Sequence, residues 1–349
     1  MERGKSVRRI AMKISNAFLD SKYDYIEEFN QKCLEEALNF AFKHKILPLF
    51  LAGCNTLNIT LPTVAESYKK TYEARWRARL ETIKDIVQIS QEHGLQVVIF
   101  KTLKPFPYDP DDVDVLALDN RSFQILVNEL KRRNFFQLFK GTPEVSFRKL
   151  FPDTYVDVDI HTELAIGYLK ILDKEFVRKA IVYRSIKVDR TCIKVPVLSD
   201  VVEVVREAAY VLLKDFSITP ASFFLGIHAL KNLDYKDLQR TAQRVALAFH
   251  LEIYLATVYL LAASMFGWDY VNDIKYVPSM SALLLLNLKK PYDIPYMYHP
   301  FHVTVAYLAK IFGEIKNKNV NVVLQVFHQP SAKGVGSILW YVENLLHGW

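Results

Sequence analysis

The chain has 349 residues, of which 51% are hydrophobic and 24% charged, and it contains few glycines and many aromatic residues. This composition is typical of a folded globular protein and excludes a disordered or low-complexity chain. Lysine and arginine exceed aspartate and glutamate by 45 − 38 = 7, a charge balance that favours polyanionic partners such as nucleotides or nucleic acid. Three separated cysteines, Cys33, Cys54 and Cys192, form no CxxC pair and indicate a reducing, cytoplasmic compartment.

The first part of the chain, residues 1–94, has the periodicity of helices. Apolar residues in 27–54 recur every three or four positions until Pro48 interrupts the pattern. A longer helix is predicted to open at Pro62 and to close at Gly94, because proline is favoured in a first turn and glycine just after a last one. We interpret the basic side chains of this region as solvated surface. An RNA- or membrane-binding arm is the alternative for Arg3, Lys5, Arg8, Arg9 and Lys13, and an anion-facing role is the alternative for Lys69, Lys70, Arg75, Arg77 and Arg79.

Short apolar runs bounded by turn residues replace this pattern after Gly94. Strands are predicted at 95–100, 111–118, 135–141, 145–151, 155–164 and within 185–197, with an amphipathic helix at 121–134 capped by Asp119 or Asn120. This alternation predicts an α+β fold, in which a small mixed sheet (residues 95–197) is flanked by an N-terminal helical region (1–94) and a C-terminal one (198–349).

The longest apolar stretch, residues 245–268, raises the question of a membrane span. His250 and Glu252 interrupt it, and the part after Glu252 is shorter than the roughly 20 residues that a bilayer requires. We therefore expect a buried helix of a C-terminal helical bundle, reaching to the end of the chain, and no membrane span.

Charged residues alternate with apolar ones in YVDVDIHTEL, residues 155–164. Asp157, Asp159, His161 and Glu163 occupy every second position, so in a strand all four side chains lie on one face. Taken alone, this stretch is also explained by a strand whose outer face is solvated.

A second acidic strand, residues 111–118, favours a functional explanation, because Asp112 and Asp114 also share one face. If the two strands lie in one sheet with their acidic faces aligned, three or four carboxylates converge and repel one another unless cations intervene. Mg²⁺ or Mn²⁺ takes such oxygen ligands, and two cations held by three carboxylates form the clamp of phosphoryl and nucleotidyl transfer.

Four motifs in order, HKILPLFL (44–51), VVIFKT (97–102), DVD (112–114) and DIH (159–161), resemble one family. It is the uncharacterised nucleotidyltransferase family of the DNA polymerase beta-like nucleotidyltransferase superfamily, and the resemblance covers roughly residues 35–215. It implies the nucleotidyltransferase fold and a divalent cation as cofactor.

The resemblance also implies roles for individual residues. Asp112 and Asp114 match the metal-binding pair, and Asp159 matches the third carboxylate and is the candidate for the base. Asp157 points the same way and is the alternative third ligand. For His161 we favour a hydrogen-bonded anchor of the carboxylates over a proton-transfer group.

The turn before the DVD strand departs from the superfamily pattern. Superfamily members place Gly-Ser there, whereas this chain has Lys101 and Thr102, followed two residues later by Lys104. The Thr102 hydroxyl and the two lysine charges are expected near the nucleotide phosphates, but no glycine is present for a close backbone approach.

The leading hypothesis is a Mg²⁺-dependent nucleotidyltransferase that moves a nucleoside monophosphate from an NTP such as ATP to an acceptor and releases pyrophosphate. RNA and small molecules are both candidates for the acceptor. Two alternatives stay open: a non-catalytic nucleotide- or RNA-binding scaffold of the same fold, and a metal-dependent nuclease or phosphohydrolase. P-loop, Rossmann and HExxH zinc motifs are missing from the sequence.

Overall fold

The computed structural model describes residues 2–20, 30–140, 144–166, 169–272, 274–279, 282 and 293–317. The chain divides into two compact units within this description. Unit 1 comprises Met1–Glu163 and Lys174–Ser199, and unit 2 comprises Leu164–Asp173 and Asp200–Trp349. The three-part division predicted at residues 94 and 197 stays a prediction, and the helical end predicted for residues 318–349 lies outside the described residues.

The helices of unit 1 follow the periodicity of the sequence. They are α1 (Glu2–Leu19), α2 (Gln31–Lys43), α3 (Leu47–Thr56), α4 (Ala65–His93), α5 (Asn120–Arg132) and α6 (Lys174–Lys179). Pro48 lies in the first turn of α3, and Gly94 ends α4 in the left-handed conformation with φ of +60°. The predicted start of α4 at Pro62 is wrong by three residues, because Pro62 forms a turn whose carbonyl accepts the Ala65 N–H. Asp119, one of the two predicted caps, accepts the Ser122 N–H at the start of α5.

The predicted α+β class is confirmed, and the sheet of unit 1 is mixed. The described strands are β1 (Val97–Phe100), β2 (Asp112–Ala117), β3 (Phe136–Lys140), β4 (Glu144–Phe151), β5 (Thr154–His161), β6 (Leu164–Ile166), β7 (Leu169–Leu172), β8 (Ile181–Val188), β9 (Thr191–Leu198), β10 (Ser217–Ile218) and β11 (Tyr296–Met297). Within the described residues, seven of them form one sheet in the order β3-β4-β5-β2-β1-β9-β8. The pairs β2–β5 and β1–β9 are parallel, and the other pairs in this sheet are antiparallel.

One face of this sheet is buried in a core that includes residues of α4 and α5. The alternating valines and isoleucines of β2 and β5 fill it, among them Val113, Val115, Val158 and Ile160, all fully buried. Because successive side chains of a strand point to opposite faces, burying these residues directs the intervening aspartates to the other face. The apolar half of each alternation therefore determines where the polar half lies.

Unit 2 is mainly helical, with β6–β7 and β10–β11 as two small antiparallel pairs. Its helices are α7 (Asp200–Leu213), α8 (Pro220–Asn232), α9 (Tyr235–Arg244), α10 (Ala248–Phe266), α11 (Trp268–Asn272) and α12 (Pro300–Lys316). Among the described residues, α10 alone is long and apolar enough to cross a bilayer, and 72% of its most apolar window is buried within the protein. The prediction of a buried core helix is confirmed.

Candidate metal and nucleotide site

The two acidic strands lie side by side in the sheet of unit 1. β2 and β5 run parallel, with Asp112 opposite Asp157 and Asp114 opposite Asp159. The acidic faces are therefore aligned in the way that the alternation predicted. Strand β5 ends at His161, so the expectation that Glu163 shares this face is wrong: Glu163 lies exposed in the bend that follows.

Asp114 is the most enclosed carboxylate of the site, with a side chain that is 2% exposed. Lys101 Nζ lies 2.8 Å from its Oδ1, and His161 Nε2 lies 3.1 Å from the same oxygen. Burial alone would raise the pKa of Asp114, but Lys101 and His161 outweigh it and hold that pKa well below its usual range. Asp114 is thus an anion stabilised by two nitrogen partners.

Asp112 has the opposite electrostatic character. Burial and the nearby Asp114 carboxylate raise the pKa of Asp112 to about 8, with a smaller contribution from Asp159 and against the opposing effect of Lys101. The pKa of Asp159 is also raised, first by burial and then by Glu144 and Asp114, while a hydrogen bond to Ser146 opposes the rise. The surroundings therefore push the pKa values of neighbouring carboxyls apart, a pattern that is characteristic of functional sites.

Three of these side chains are close enough to bind one metal ion. Among the described residues, ligand atoms of Asp114, Asp159 and His161 all lie within 4.8 Å of one another. Two carboxylates and an imidazole suit Mn²⁺ and comparable divalent ions, and carboxylate oxygens are also the ligands of Mg²⁺. Besides the effect of burial, the Asp114 and Asp159 carboxylates repel the negative charge of Asp112 and so raise its pKa. A cation bound among these groups would reduce this repulsion. The donor set therefore fits a divalent cation.

Asp157 forms an ion pair with an arginine. Arg148 on β4 donates two hydrogen bonds to it, from Nε at 2.7 Å and from the guanidinium end at 2.8 Å. A bidentate pair of this kind engages both carboxylate oxygens. Of the two candidates for the third ligand, the geometry therefore favours Asp159, which belongs to the metal-capable set, over Asp157.

The turn after β1 takes the shape that glycine normally provides, although no glycine is present. Lys101 is in the left-handed region with φ of +57°. The Thr102 hydroxyl accepts the Asp114 backbone N–H at 3.0 Å, so it braces the turn against β2. Lys104 lies further along the same loop, with its ammonium 5.3 Å from the centre of the Tyr108 ring.

A buried ion-pair cluster that the sequence analysis missed holds this loop in place. Arg75 and Arg79 of α4 both bind Asp109, which is fully buried, and the Arg79–Asp109 contact is 2.5 Å. Arg79 is itself 4% exposed, so its interpretation as solvated surface is wrong, and the alternative of an anion-facing side chain describes it, with Asp109 of the same chain as the anion. The spacing of the two arginines, four residues apart on a predicted helix, was the one available signal, since it places both on one face.

Glu144 is a second residue that the sequence analysis missed. It lies opposite His161 in the antiparallel β4–β5 pair, with its carboxylate 3.6 Å from His161 Nδ1. The His161 ring therefore lies between two carboxylates and packs edge-on against Phe100, with 5.2 Å between ring centres. This arrangement agrees with the predicted role of His161 as an anchor.

Comparison with known proteins adds little to this geometry. Neither a protein-family model nor a curated protein matches the chain. Among solved structures, the chain is similar to an antigenic nucleotidyltransferase-like protein from Paracoccidioides brasiliensis, with 12% identity and a TM-score of 0.31 over 48% of this chain and 90% of that one. At this level of similarity, the argument for function rests on the site itself.

Proposed function

We propose that the protein is a metal-dependent nucleotidyltransferase that moves a nucleoside monophosphate from an NTP such as ATP to an acceptor hydroxyl. The observation that supports this most is the convergence of Asp112, Asp114 and Asp159 on one face of two parallel strands. Rigid strands suit this chemistry because the cations and the phosphates must keep a fixed geometry. The resemblance of the four sequence motifs points to the same reaction.

Asp114 and Asp159, together with His161 or Asp112, are the residues that would hold Mg²⁺ or Mn²⁺. When bound, the cation supplies charge neutralisation for the phosphates and lowers the pKa of the attacking hydroxyl. The acceptor oxygen attacks the α-phosphorus, the bond from that phosphorus to the bridging oxygen breaks, and pyrophosphate leaves with the electron pair. Asp159, matched by the resemblance to the third carboxylate, accepts the proton of the acceptor.

The loop after β1 would bind the triphosphate. Lys101 and Lys104 supply positive charge, and Thr102 keeps the loop against β2. The acceptor is an RNA end or a small molecule with a free hydroxyl, and the net charge of +7 favours a polyanion. The unpaired cysteine pattern supports action in the cytoplasm.

The test is NTP binding and transfer with and without Mg²⁺ or Mn²⁺, in the wild type and in the double variant Asp112→Asn/Asp114→Asn. We expect metal-dependent binding in the wild type and its loss in the double variant. Asp157→Asn is the matched control, because it removes a carboxylate from the same sheet face that Arg148 already neutralises. It is expected to retain metal-dependent NTP binding.

The three hypotheses give different results in this experiment. Binding of NTP that is equal in the wild type and the double variant, without turnover, favours the non-catalytic scaffold. Release of nucleotide or phosphate to water, with no acceptor modified, favours the nuclease or phosphohydrolase. Absence of any binding under either metal contradicts the proposed function.

A further inference from the structure

Lys101 occupies a backbone position that is costly for its residue type. Its φ of +57° lies in the left-handed region, where a residue with a Cβ pays roughly 1–2 kcal/mol and glycine pays nothing. Strain of this kind persists where the surrounding structure compensates for it, and it is concentrated at functional sites. The question is what the lysine side chain does there that glycine cannot.

The side chain of Lys101 turns back to the carboxylates. Its ammonium lies 2.8 Å from Asp114 Oδ1, on the carboxylate that is 2% exposed, while the lysine side chain itself remains 24% exposed. The same oxygen is also in contact with His161 Nε2 at 3.1 Å. Lys101 therefore compensates a buried anion, while its side chain remains partly exposed.

A divalent cation would need the same carboxylate. Asp114 belongs to the metal-capable set with Asp159 and His161, so a metal ion and the Lys101 ammonium compete for one negatively charged group. Two cations within about 4 Å of each other repel, and the repulsion is stronger in a partly buried site than in water. Metal binding is thus expected to displace Lys101 from Asp114.

The ammonium displaced from Asp114 can bind the phosphates of the nucleotide. Lys101 is on the loop that the proposed function assigns to the triphosphate, beside the carboxylates of β2 and β5, and its four-carbon stem is flexible. Once released from Asp114, the ammonium would lie near bound cations without an anionic partner, which is electrostatically unfavourable. Binding to another anion would lower its energy. The triphosphate supplies that anion at the same place.

We propose that Lys101 is a tethered cation that neutralises Asp114 until a divalent metal ion replaces it, and that the released ammonium then binds the NTP phosphates. This inference rests on the proposed function. It makes metal and nucleotide binding cooperative, since each favours the arrangement in which Lys101 has left Asp114. It also explains a lysine at a glycine-type turn, because the backbone cost is offset by a charge that serves in both arrangements.

The first measurement is titration with Mn²⁺ alone, followed by electron paramagnetic resonance or calorimetry, on the wild type and Lys101→Met. Removing the competing ammonium is expected to tighten Mn²⁺ binding at least about tenfold. Lys101→Arg keeps the charge and is expected to bind Mn²⁺ like the wild type. Lys45→Met is the matched control, because it removes another lysine paired with an aspartate of the same loop, Asp111, which is exposed.

The second measurement is NTP binding at saturating Mn²⁺. Here the effect of Lys101→Met is expected to reverse, with binding weakened at least about tenfold, because the phosphates lose their ammonium partner. Lys101→Gly is a second variant, since it removes the same charge and relaxes the left-handed backbone. It is expected to behave like Lys101→Met in both titrations. The test can therefore be made with Lys101→Gly even if Lys101→Met does not fold.

Unchanged or weaker Mn²⁺ binding in both Lys101 variants, with clear binding in the wild type, overturns the tethered cation and leaves the proposed function standing. Tighter Mn²⁺ binding in the variants, with no nucleotide transfer by the wild type to any acceptor, supports the exchange and counts against the enzyme. Absence of Mn²⁺ binding in every variant overturns both.

Discussion

Two buried charge clusters, one in each unit, differ in how their charges are arranged. In unit 2, Arg206 is fully buried on α7 and donates to Glu203 at 2.6 and 3.2 Å and to Glu207 at 2.7 Å. Glu207 also accepts a hydrogen bond of 2.5 Å from the Ser222 hydroxyl. Burial disfavours the charged guanidinium, but the two glutamates outweigh burial and raise the pKa of Arg206.

The carboxylate cluster of unit 1 has the opposite balance. Asp112, Asp114 and Asp159 approach one another with Lys101 and His161 as their nitrogen partners, and the pKa values of Asp112 and Asp159 are raised. The first cluster comes from two neighbouring helices, whereas the second is assembled from a loop and two strands. In the cluster of unit 2 one cation lies between two carboxylates, whereas in the cluster of unit 1 burial and neighbouring carboxylates raise the pKa of Asp112.

The largest expected effect on stability is that of Arg206→Leu. It leaves two buried glutamates without their cation, and breaking a buried pair by removing one partner costs about 3–5 kcal/mol. Urea unfolding followed by circular dichroism measures the loss. Arg240→Leu is the control, since Arg240 is 78% exposed beside Asp237 and its removal should change stability by less than about 1 kcal/mol. Equal effects of the two variants would contradict a structural role for the Arg206 cluster.

Asp109→Asn tests the buried ion pairs of unit 1, in which one carboxylate lies between two arginines. The change removes the anion that neutralises Arg75 and Arg79, and we expect a loss of about 2–3 kcal/mol. Because Asp109 belongs to the loop that leads into β2, Mn²⁺ affinity is expected to fall as well. Asp111→Asn, which alters an exposed aspartate of the same loop, should leave both quantities nearly unchanged. An Asp109→Asn variant as stable as the wild type would show that the ion pairs of Asp109 with Arg75 and Arg79 do not contribute to stability.

Asp112→Asn is expected to change stability in the opposite direction. The pKa of Asp112 is about 8 in the folded protein, against 3.8 for the unperturbed group. Between these pH values the folded state holds a proton that the unfolded state has released, so stability falls as pH rises, and the loss is complete above pH 8. Asparagine does not titrate, and at pH 6 the variant should be about 1–3 kcal/mol more stable than the wild type.

The measurement for Asp112→Asn is thermal unfolding in a chelator at several pH values. The advantage of the variant should be small at pH 4 and grow towards pH 8. A variant that is less stable than the wild type across this range would show that the Asp112 carboxyl stabilises the fold, as the ion pairs of Arg206 are expected to do. That result would remove the contrast between the two clusters.

The parts of the site that were predictable from sequence are those set by local geometry. The alternation of Asp112 and Asp114 with valines determines which side chains share a face, because strand periodicity acts over a few residues. The ion pair of Arg148 with Asp157 depends on the pairing register of the adjacent strands β4 and β5, and that of Arg79 with Asp109 joins residues 30 positions apart; strand periodicity determines neither.

The register of β2 against β5 and the left-handed turn at Lys101 are likewise fixed by packing. The left-handed turn was not predicted, because the sequence has no glycine at this position. Lys101 adopts the left-handed conformation in place of glycine, at a cost in backbone energy. The end of β5 at His161, which excludes Glu163, is a boundary of the kind that periodicity does not set.

The smallest expected change in stability, about 1 kcal/mol, is that of His161→Gln, and its value lies in metal binding. If His161 only orients Asp114, glutamine supplies an N–H for the same oxygen and should recover much of the Mn²⁺ affinity that His161→Ala loses, about 10–100-fold. If the imidazole itself ligates the metal, glutamine should bind Mn²⁺ as weakly as alanine does. The pair of variants, titrated with Mn²⁺, therefore separates an anchor from a ligand. An affinity unchanged in His161→Ala would exclude both roles, and it would leave Asp114 with Lys101 as its sole important nitrogen partner.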